Sequence, residues 1–395
     1  MDTKMKLLVI GRSYPEVETG MVGIFEYEQA KSVLKNSENT IKVLYTFCDN
    51  RSVLRLRKCR SITRYDDGIF TKGVYFPIGG SPQKIFEKIK TKMCINMVRR
   101  LINKEGKPNI IHIHFPIITL THGFWDYLQS LEVSIVITEH YSRVQNKELT
   151  NHQVDLLRKI SLGADKFICV NNILPQSIKE LTKVNREFLE IPNVVSKNFV
   201  FENNKDKENG TYHFISIGRL VKGKKFDLLI DAFYQKFKDI DNVELIIVGG
   251  GEEYKNLNKK INSLGMEGRI KLTGFLNRDE TALLLEGCNS YVTASAFETF
   301  GVPVIEAMSC GKPIIVANNS PLKQYIQGKS GLMFEVNNVT SLANKMEEMY
   351  NKDPIINSKK IADLAFKYFS EEAVGKKLFS IYRSCFNDKK QVSEG

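Results

Sequence analysis

The sequence predicts an α/β protein made of two doubly wound parallel-sheet domains that face each other across a cleft. Apolar strand-like runs alternate with helical patterns along most of the 395 residues, and a polar, Asn/Lys-rich stretch at 198–211 divides the alternation into halves. In open sheets of this kind ligands bind at the carboxyl ends of the strands. We therefore expect the functional residues to follow predicted strands.

The elements divide the chain into a first domain at residues 1–197, a linker at 198–211 and a second domain at 212–369. In the first domain, strands are predicted at 6–10, 41–47, 109–114, 134–138, 166–170 and 188–191. In the second domain, strands are predicted at 213–217, 243–248, 270–272, 290–293 and 313–316, and helices at 226–237, 253–264, 278–285 and 302–310.

The composition is that of a folded protein that stays in the cytoplasm. The hydrophobic fraction is 42%, yet no apolar run reaches the length of about 18 residues that suggests a membrane span. The apolar run near the N-terminus ends at Arg12 and is too short for a signal peptide. Seven cysteines are scattered without a C-x-x-C pair, so we expect reduced thiols.

Positive charge is concentrated in one segment. The chain carries a formal net charge of +12, and residues 51–107 alone hold 15 Lys and Arg against 4 Asp and Glu. Within it, apolar residues recur at helical spacing among the basic ones: Ile85, Phe86, Ile89, Met93, Met97, Val98 and Leu101. Two interpretations stay open, a surface helix packed on its own domain and docking on an anionic membrane surface. No nucleic-acid-binding motif accompanies the charge.

The stretch 297–313 places two carboxylates, Glu298 and Glu306, around a Thr-Phe-Gly turn. A helix is expected from about Gly301, because Pro303 suits its first turn and Gly311 supplies its stop. The N-terminus of such a helix can hold a phosphate, and the two glutamates could then bind two hydroxyl-bearing parts of one ligand. An ordinary helix with one capping and one solvated glutamate has the same spacing, and the spacing alone favours that simpler interpretation.

Four cations follow the strand predicted at 213–217, namely Arg219, Lys222, Lys224 and Lys225. They are expected at the same sheet edge as the helix near Gly301. A pyrophosphate bound there without a metal ion would need such cations to balance its charge. A solvated basic loop is an equal alternative.

Three other patterns have simpler interpretations. The glycines at 249–251 do not complete a G-x-G-x-x-G fingerprint and predict a tight turn, and Asp-Ile-Asp at 239–241 precedes a strand and also predicts a turn. His112 and His114 share one strand face, for which core or cleft lining is favoured over zinc.

These motifs together resemble the family 4 retaining glycosyltransferases, which are glycosyl transferases group 1 enzymes of the GT-B fold. The resemblance rests on GRLVKGKKFDLLIDAF, IIVGGGEE, the Gly-Phe at 274–275 and SAFETFGVPVIEAMSCGKPIIVA, in the family's order and spacing. YPEVETGMVGIFEYEQA, IIHIHF, VITEHYS and IPNVV in the first half are similar too. The resemblance implies two Rossmann-like domains. The first would lie on the acceptor side and the second would bind the nucleotide sugar, and a C-terminal helix at 370–390 would cross back onto the first.

The resemblance implies roles residue by residue. Arg219 and Lys224 would hold the diphosphate, Glu298 the donor sugar hydroxyls and Glu306 the ribose. The backbone at Phe300 and Gly301 would bind phosphate and sugar. The remaining donor contacts implied are Gly218, Leu276 and Val302, with Gly23 approaching the phosphates and His140 beside the donor sugar. The family usually has Lys-Gly where this chain has Lys224-Lys225, so Lys222, followed by Gly223, is a competing phosphate ligand.

The implied activity is metal-independent, retaining transfer of a sugar, of the hexosyltransferase type. The donor would be a nucleoside-diphosphate sugar, with UDP the default and GDP second, and no cofactor is expected. The acceptor would be a hydroxyl of a glycan or of a lipid-diphosphate-linked glycan, as in surface polysaccharide assembly at the inner face of the membrane. A sugar-nucleotide epimerase of the same architecture and a non-catalytic sugar-nucleotide-binding partner of a membrane assembly are the alternatives.

Overall fold

The computed structural model describes residues 4–16, 21–50, 59–202, 210–326, 330–352 and 357–394. The chain forms two compact units: residues 1–194 with 371–395 form unit 1, and residues 195–370 form unit 2. Residues 203–209 of the predicted linker and 51–58 of the basic segment lie outside the described residues. No helix in the described ranges is long and apolar enough to cross a membrane.

Unit 1 alternates strands and helices from its N-terminus. The strands are β1 (Met5–Gly11), β2 (Ile41–Asp49), β3 (Arg60–Asp66), β4 (Ile69–Tyr75), β5 (Ile110–His114), β6 (Ser134–Glu139), β7 (Lys166–Cys169) and β8 (Leu189–Glu190). The helices are α1 (Ile24–Lys35), α2 (Gln83–Glu105), α3 (Pro116–Thr119), α4 (His122–Gln129), α5 (Ser142–Gln145), α6 (Asn151–Gly163) and α7 (Leu174–Thr182), and the last helix of the chain also belongs here (Glu371–Glu394).

The sheet of unit 1 has the order β3-β4-β2-β1-β5-β6-β7-β8 and is parallel except at one edge. There β3 pairs with β4 in antiparallel fashion, from Arg60 opposite Tyr75 to Asp66 opposite Ile69. The expectation of a wholly parallel sheet is therefore wrong at this edge. The hairpin was missed because its first strand exposes nearly all of its side chains and shows no alternating apolar pattern.

The strands of unit 2 form a doubly wound sheet, and the first of them is β9 (Tyr212–Ile217). The other strands are β10 (Val243–Val248), β11 (Ile270–Gly274), β12 (Ser290–Val292), β13 (Ile314–Ala317) and β14 (Gly331–Phe334). The helices are α8 (Phe226–Phe237), α9 (Tyr254–Ser263), α10 (Arg278–Gly287), α11 (Val302–Ser309), α12 (Val339–Lys352) and α13 (Ser358–Phe369). The parallel order β11-β10-β9-β12-β13-β14 confirms the predicted doubly wound sheet.

The last helix of the chain, α14 (Glu371–Glu394), packs on α1. It contributes Val374, Leu378 and Tyr382, which recur at helical spacing, to the core that also contains Val33 of α1. Gly375 lies so close to α1 that a Cβ there would stand 2.3 Å from the carbonyl oxygen of Ser32. The helix is thus an integral part of unit 1, because its removal would expose a face of this core.

The glycines after β10 form the tight turn that the sequence predicts. Gly249 has φ +142°, and a Cβ at this position would stand 1.9 Å from the carbonyl oxygen of Gly218, which follows β9. The amide of Gly249 also donates to the carbonyl of Gly274 at 2.8 Å. Only a residue without a side chain allows three neighbouring strand ends to approach this closely.

We predict that Gly249→Ala destabilises the protein, because the added methyl group must displace the Gly218 backbone. The expected loss is about 1–3 kcal/mol in the free energy of unfolding, measured by chemical denaturation followed by circular dichroism. Gly250→Ala is the matched control, since a Cβ at that position meets no atom within 4 Å. Equal stability of the two variants would contradict the close-approach argument.

Candidate functional site

The carboxyl ends of β9 and β12 lie side by side in unit 2, at the point where the strand order of the sheet reverses. From β9 the chain continues into Arg219, which is exposed, and then into a 3-10 turn at Lys222–Lys224. From β12 it continues into the loop carrying Glu298. The two loops meet, because the Lys224 Nζ atom contacts the Glu298 Oε1 atom at 2.5 Å. Cation and carboxylate thus share the place where ligands bind doubly wound sheets.

Lys222 and Lys224 have different surroundings although they share one short turn. The Lys224 side chain is 30% exposed and is engaged with Glu298, whereas Lys222 is exposed to solvent. Lys225 has φ +53° and caps the N-terminus of α8. The turn therefore directs one of its lysines at the β12 loop, and that lysine is Lys224.

Helix α11 begins at Val302, directly after Gly301 in a left-handed conformation with φ 88°. Gly301 suits this conformation because it has no Cβ. Pro303 lies in the first turn, and Phe300, which is 4% exposed, anchors the turn by packing edge-on against Phe369 at 6.0 Å between ring centroids. The first amides of a helix have no intrahelical acceptor, so this N-terminus offers hydrogen-bond donors and a positive dipole beside Glu298.

Glu306 lies on α11, where its side chain is only 8% exposed. The Nη2 atom of Arg278, the first residue of α10, donates a hydrogen bond to the Glu306 Oε1 atom at 3.0 Å. The simpler interpretation of a solvated glutamate is therefore wrong. The sequence analysis missed Arg278 because its partner is 28 residues away and only the packing of α10 beside α11 joins them.

The remaining predicted donor residues lie at the same end of the sheet. The amide of Gly218, directly after β9, donates to the carbonyl of Val248 at 3.0 Å. Leu276 is half-buried in the turn between β11 and α10, two residues before Arg278, and Val302 is buried in the first turn of α11. Each of these residues either follows a strand or lies at the start of a helix, as expected at the sheet edge where ligands bind.

Beneath Glu298, the buried ring of Tyr291 on β12 directs its hydroxyl at the carbonyl of Ile217 at 3.4 Å. Burial and the nearby charge of Glu298 raise the pKa of Tyr291, so this hydroxyl stays protonated. This hydrogen bond joins β12 to the carboxyl end of β9, below the two loops.

In unit 1, a stack of three side chains joins the ends of β1, β5 and β6. The guanidinium of Arg12 lies 3.3 Å from the ring centroid of Phe115, and that ring stacks on His140 with centroids 4.5 Å apart. Arg12 is in turn paired with the fully buried Glu26 of α1 at 2.7 Å. Of these four residues, the sequence analysis assigned a functional role only to His140.

Phe115 holds an unusual backbone conformation for a bulky residue. Its φ of 50° and ψ of 57° are left-handed, and its amide donates to the carbonyl of Thr138 at 3.0 Å. Such a conformation costs free energy and often marks a functional position. No sequence pattern signals it, since the residue reads as part of the apolar run of β5.

Three buried histidines line the same region. His114 Nδ1 lies 3.1 Å from His140 Nε2, and the rings of His112 and His114 are 4.1 Å apart. His112 also bonds Thr138 and the hydroxyl of Tyr382 at 2.7 and 2.6 Å. Burial lowers the pKa of all three, and the charge of Arg12 lowers the pKa of His114 and His140 further, so the three rings are neutral at pH 7.

Gly23, which precedes α1, has φ 97°, and a Cβ there would stand 2.1 Å from the carbonyl oxygen of Ser13. The backbone at Gly23 is thus held against the loop that follows β1. Residues 17–20 of that loop lie outside the described residues.

Comparisons with known proteins accord with this arrangement. The family described as glycosyl transferases group 1 matches residues 198–365. An uncharacterized glycosyltransferase of Methanocaldococcus jannaschii is 33% identical over 262 residues, covering 65% of this chain and 69% of that protein. The chain belongs to the glycosyl transferases group 1 family. It is therefore a glycosyltransferase, as the resemblance implied.

A more distant relative is the phosphatidylinositol N-acetylglucosaminyltransferase GPI3 subunit of Saccharomyces cerevisiae, 24% identical over 72% of this chain and 65% of its own. Among solved structures, sucrose-phosphate synthase from Thermosynechococcus elongatus aligns with a TM-score of 0.76 over 98% of this chain and all of that one, at 17% identity. Anabaena HepE in complex with UDP aligns with a TM-score of 0.73 over 96% of this chain and all of that one, at 16% identity. These likenesses confirm the GT-B fold.

Beside His140, Glu139 at the end of β6 is fully buried. Its Oε1 atom accepts from the amides of His140 and Tyr141 at 2.9 and 2.8 Å. Burial raises the pKa of Glu139 to about 8, although these two amide donors act in the opposite direction. The side chain is thus largely protonated at neutral pH.

We predict that Glu139 makes the stability of unit 1 pH-dependent. Between its unfolded pKa near 4.5 and its folded pKa of about 8, the native state retains a proton that the unfolded chain loses. The contribution of Glu139 to the free energy of unfolding therefore falls as pH rises through this window, by up to about 1.4 kcal/mol per pH unit. Glu139→Gln should become steadily more stable than the wild type over this range.

The measurement is denaturant unfolding at several pH values, followed by fluorescence of Trp125, the single tryptophan, which is buried in unit 1. Glu187→Gln removes an exposed carboxylate of the same unit and serves as the control. If the two variants differ from the wild type by the same amount at every pH, Glu139 does not hold this proton.

Proposed function

We propose that this glycosyltransferase transfers a sugar from a nucleoside-diphosphate sugar, with UDP as the nucleotide, to a hydroxyl of a glycan or lipid-linked glycan, with retention at the anomeric carbon. The observation that carries the proposal is the contact of Lys224 with Glu298 at 2.5 Å beside the N-terminus of α11. A cation, a helix N-terminus and a hydroxyl-binding carboxylate within one loop pair match the parts of a sugar nucleotide.

The phosphates would be held by Arg219, Lys224 and the first amides of α11. These groups are fixed before the reaction, so they can stabilise the negative charge that develops on the departing diphosphate. Arg219 is exposed and Lys224 already lies at the β12 loop, which supports Lys224 over Lys222 as the phosphate ligand. With these cations in place, transfer needs no metal ion.

Sugar and nucleoside would contact the two glutamates. Glu298, 20% exposed, would accept hydrogen bonds from donor sugar hydroxyls, and Glu306, oriented by Arg278, would bind the ribose. Gly218, Leu276, Phe300, Gly301 and Val302 would complete the donor site with backbone and apolar contacts. In unit 1, Gly23 would approach the phosphates, and His140 would position the sugar.

In the proposed mechanism, retention requires no protein base near the leaving group. His140 is buried and neutral, and His114 lies against it at 3.1 Å, so it would polarise and orient a hydroxyl. The departing phosphate oxygen would take the proton of the acceptor. We therefore propose that the chain is a retaining enzyme of family 4.

The names of similar proteins support the nucleotide and the acceptor class. Solved Anabaena HepE structures contain UDP, UDP with glucose, and UDP-glucose. Sequence relatives include the GPI3 subunit, which is named for phosphatidylinositol, and the alpha-monoglucosyldiacylglycerol synthase of Acholeplasma laidlawii. We propose that this chain likewise acts on a lipid-linked hydroxyl, at the cytoplasmic face of the membrane.

We predict that UDP raises the melting temperature of the protein more than GDP does, and that EDTA leaves this shift unchanged, because ligand binding to the folded state stabilises it. Arg219→Ala and Lys224→Ala should lose most of the shift, and Lys222→Ala should keep it. With the UDP-sugar that binds, and a membrane lipid extract as acceptor, Glu298→Gln should lose about 100-fold or more in transfer rate while keeping the shift with UDP.

Glu252→Gln, which alters an exposed carboxylate after β10, is the matched control for Glu298→Gln. Retention would be read from the anomeric configuration of the product by NMR. A near-native transfer rate of Glu298→Gln would overturn its role, and an EDTA-sensitive UDP shift would overturn metal independence.

Helix α2 has features that bear on both interpretations of the basic segment. Its second half packs on unit 1 through the buried Met97, Val98 and Leu101, whereas Ile85 in its first turn is 53% exposed. Apart from Lys90, which is buried, the lysines and arginines of α2 stay on the exposed side, where a shallow groove runs along the helix: Lys84, Lys88, Lys92 and Arg99 line it. We propose that this exposed side contacts an anionic lipid surface.

We predict that the protein co-sediments with vesicles containing anionic phospholipid at low salt, and that added salt weakens the binding. The triple variant Lys88→Glu, Lys92→Glu and Arg99→Glu should abolish it. The same charge change placed in unit 2, at the exposed Lys255, Lys259 and Lys359, should leave binding nearly intact. Equal losses in both triple variants would show that net charge, and not this helix, is responsible.

A further inference from the structure

Three helices of unit 1 bring two imidazoles and a carboxylate together, away from the residues assigned to the donor. Glu87 lies on α2, His122 opens α4 and His152 lies in the first turn of α6. One ligand atom from each lies within 4.8 Å of the other two, and all three side chains are half-buried. We propose that this cluster binds a divalent transition-metal ion, with Zn²⁺ as the best fit.

One buried imidazole nitrogen of the cluster has no hydrogen-bond partner in the part of the chain that the structure describes, and the ion would replace the hydrogen bond between the other imidazole and the carboxylate. His152 Nε2 is hydrogen-bonded to the Glu87 Oε1 atom, and the two imidazole rings are 4.4 Å apart. His122 Nε2 lies 3.4 Å from Asp155 Oδ2, whereas its Nδ1 atom is buried with no hydrogen-bond partner among the described residues. A carboxylate that bonds the far nitrogen of a metal-binding histidine is the usual orienting arrangement.

The distances suit a small ion after modest side-chain adjustment. Ligand atoms about 2.0–2.1 Å from a tetrahedral zinc ion lie about 3.3 Å from one another, so the cluster needs to contract by about 1.5 Å at most. Two imidazoles, one carboxylate and a water molecule would complete the four positions.

The helix ends hold the two histidines in place before any ion binds. The side chain of Thr121 accepts from the amide of Phe124 at the start of α4, and Thr150 with Gln153 forms a capping box at the start of α6. Histidines in such capped first turns have little backbone freedom, so less ordering is required when the metal binds.

The charge around the cluster selects the kind of metal. Lys84 and Lys88 flank Glu87 on α2, and Arg158 lies 3.6 Å from Asp155. These cations disfavour Ca²⁺ and Mg²⁺, which bind hard oxygen ligands and depend on their negative charge. Neutral imidazole instead favours Zn²⁺, Ni²⁺ and Cu²⁺. Bound there, the ion would fasten the basic helix α2 to α4 and α6.

The test is calorimetric titration of the full-length protein with ZnCl₂, with Co²⁺ as a second probe whose visible absorption reports tetrahedral coordination. Since Cys59 is an exposed thiol that could bind zinc by itself, all variants carry Cys59→Ser. We expect one Zn²⁺ per chain, a rise in melting temperature with the metal, and weaker binding as pH falls, because protons compete for imidazole.

His122→Ala and His152→Ala should each weaken Zn²⁺ binding about tenfold or more, and Asp155→Asn about tenfold. His213→Ala in unit 2 is the matched control, because this histidine also lies near a carboxylate, at 3.3 Å from Glu244, and has similar exposure. Circular dichroism and the UDP-induced shift report whether each variant folds.

Two outcomes would overturn the site. One is equal Zn²⁺ affinity in the wild type and in the His122→Ala, His152→Ala double variant, and the other is no binding by the folded wild type at about 100 μM Zn²⁺. Since the donor site is tested by UDP in the presence of EDTA, failure of the zinc site leaves the proposed transfer function untouched, and the converse also holds.

Discussion

In each unit, the position of the candidate site depends on the point where the strand order of the sheet reverses direction. In unit 1, β1 lies between β2 and β5, and in unit 2, β9 lies between β10 and β12. Chains that leave adjacent strands in opposite directions open a crevice at the carboxyl ends. Arg12, Phe115 and His140 gather there in unit 1, and Lys224 and Glu298 gather there in unit 2. Both clusters are therefore consequences of strand order.

The crevice of unit 2 depends in turn on how closely the strand ends approach. Gly249 allows the ends of β9 and β10 to touch, because its missing Cβ leaves room for the carbonyl of Gly218. Gly301 then sets the angle at which α11 leaves the β12 loop, through its left-handed conformation. The functional side chains are carried by loops, whereas their positions are fixed by backbone packing beneath them.

Burial gives the two units different electrostatics. Unit 2 presents partly exposed charges that can bind and release an anion, as Lys224 and Glu298 do at 30% and 20% side-chain exposure. At the strand ends of unit 1 the titratable groups are instead buried, so that His112, His114 and His140 stay neutral and Glu139 holds a proton near neutral pH. A neutral histidine layer can orient a polar group without adding charge, which suits positioning better than proton transfer.

The sequence by itself determined the fold class, most strands and the full extent of α8, because hydrophobic periodicity records which side of each element is buried. It also pointed to Glu298, Glu306 and the lysine turn, since those residues lie close together along the chain. Only the tertiary structure paired Glu306 with Arg278, stacked Arg12 on Phe115 and joined His122 with His152. Such contacts link residues far apart in sequence, and packing alone decides which of them meet.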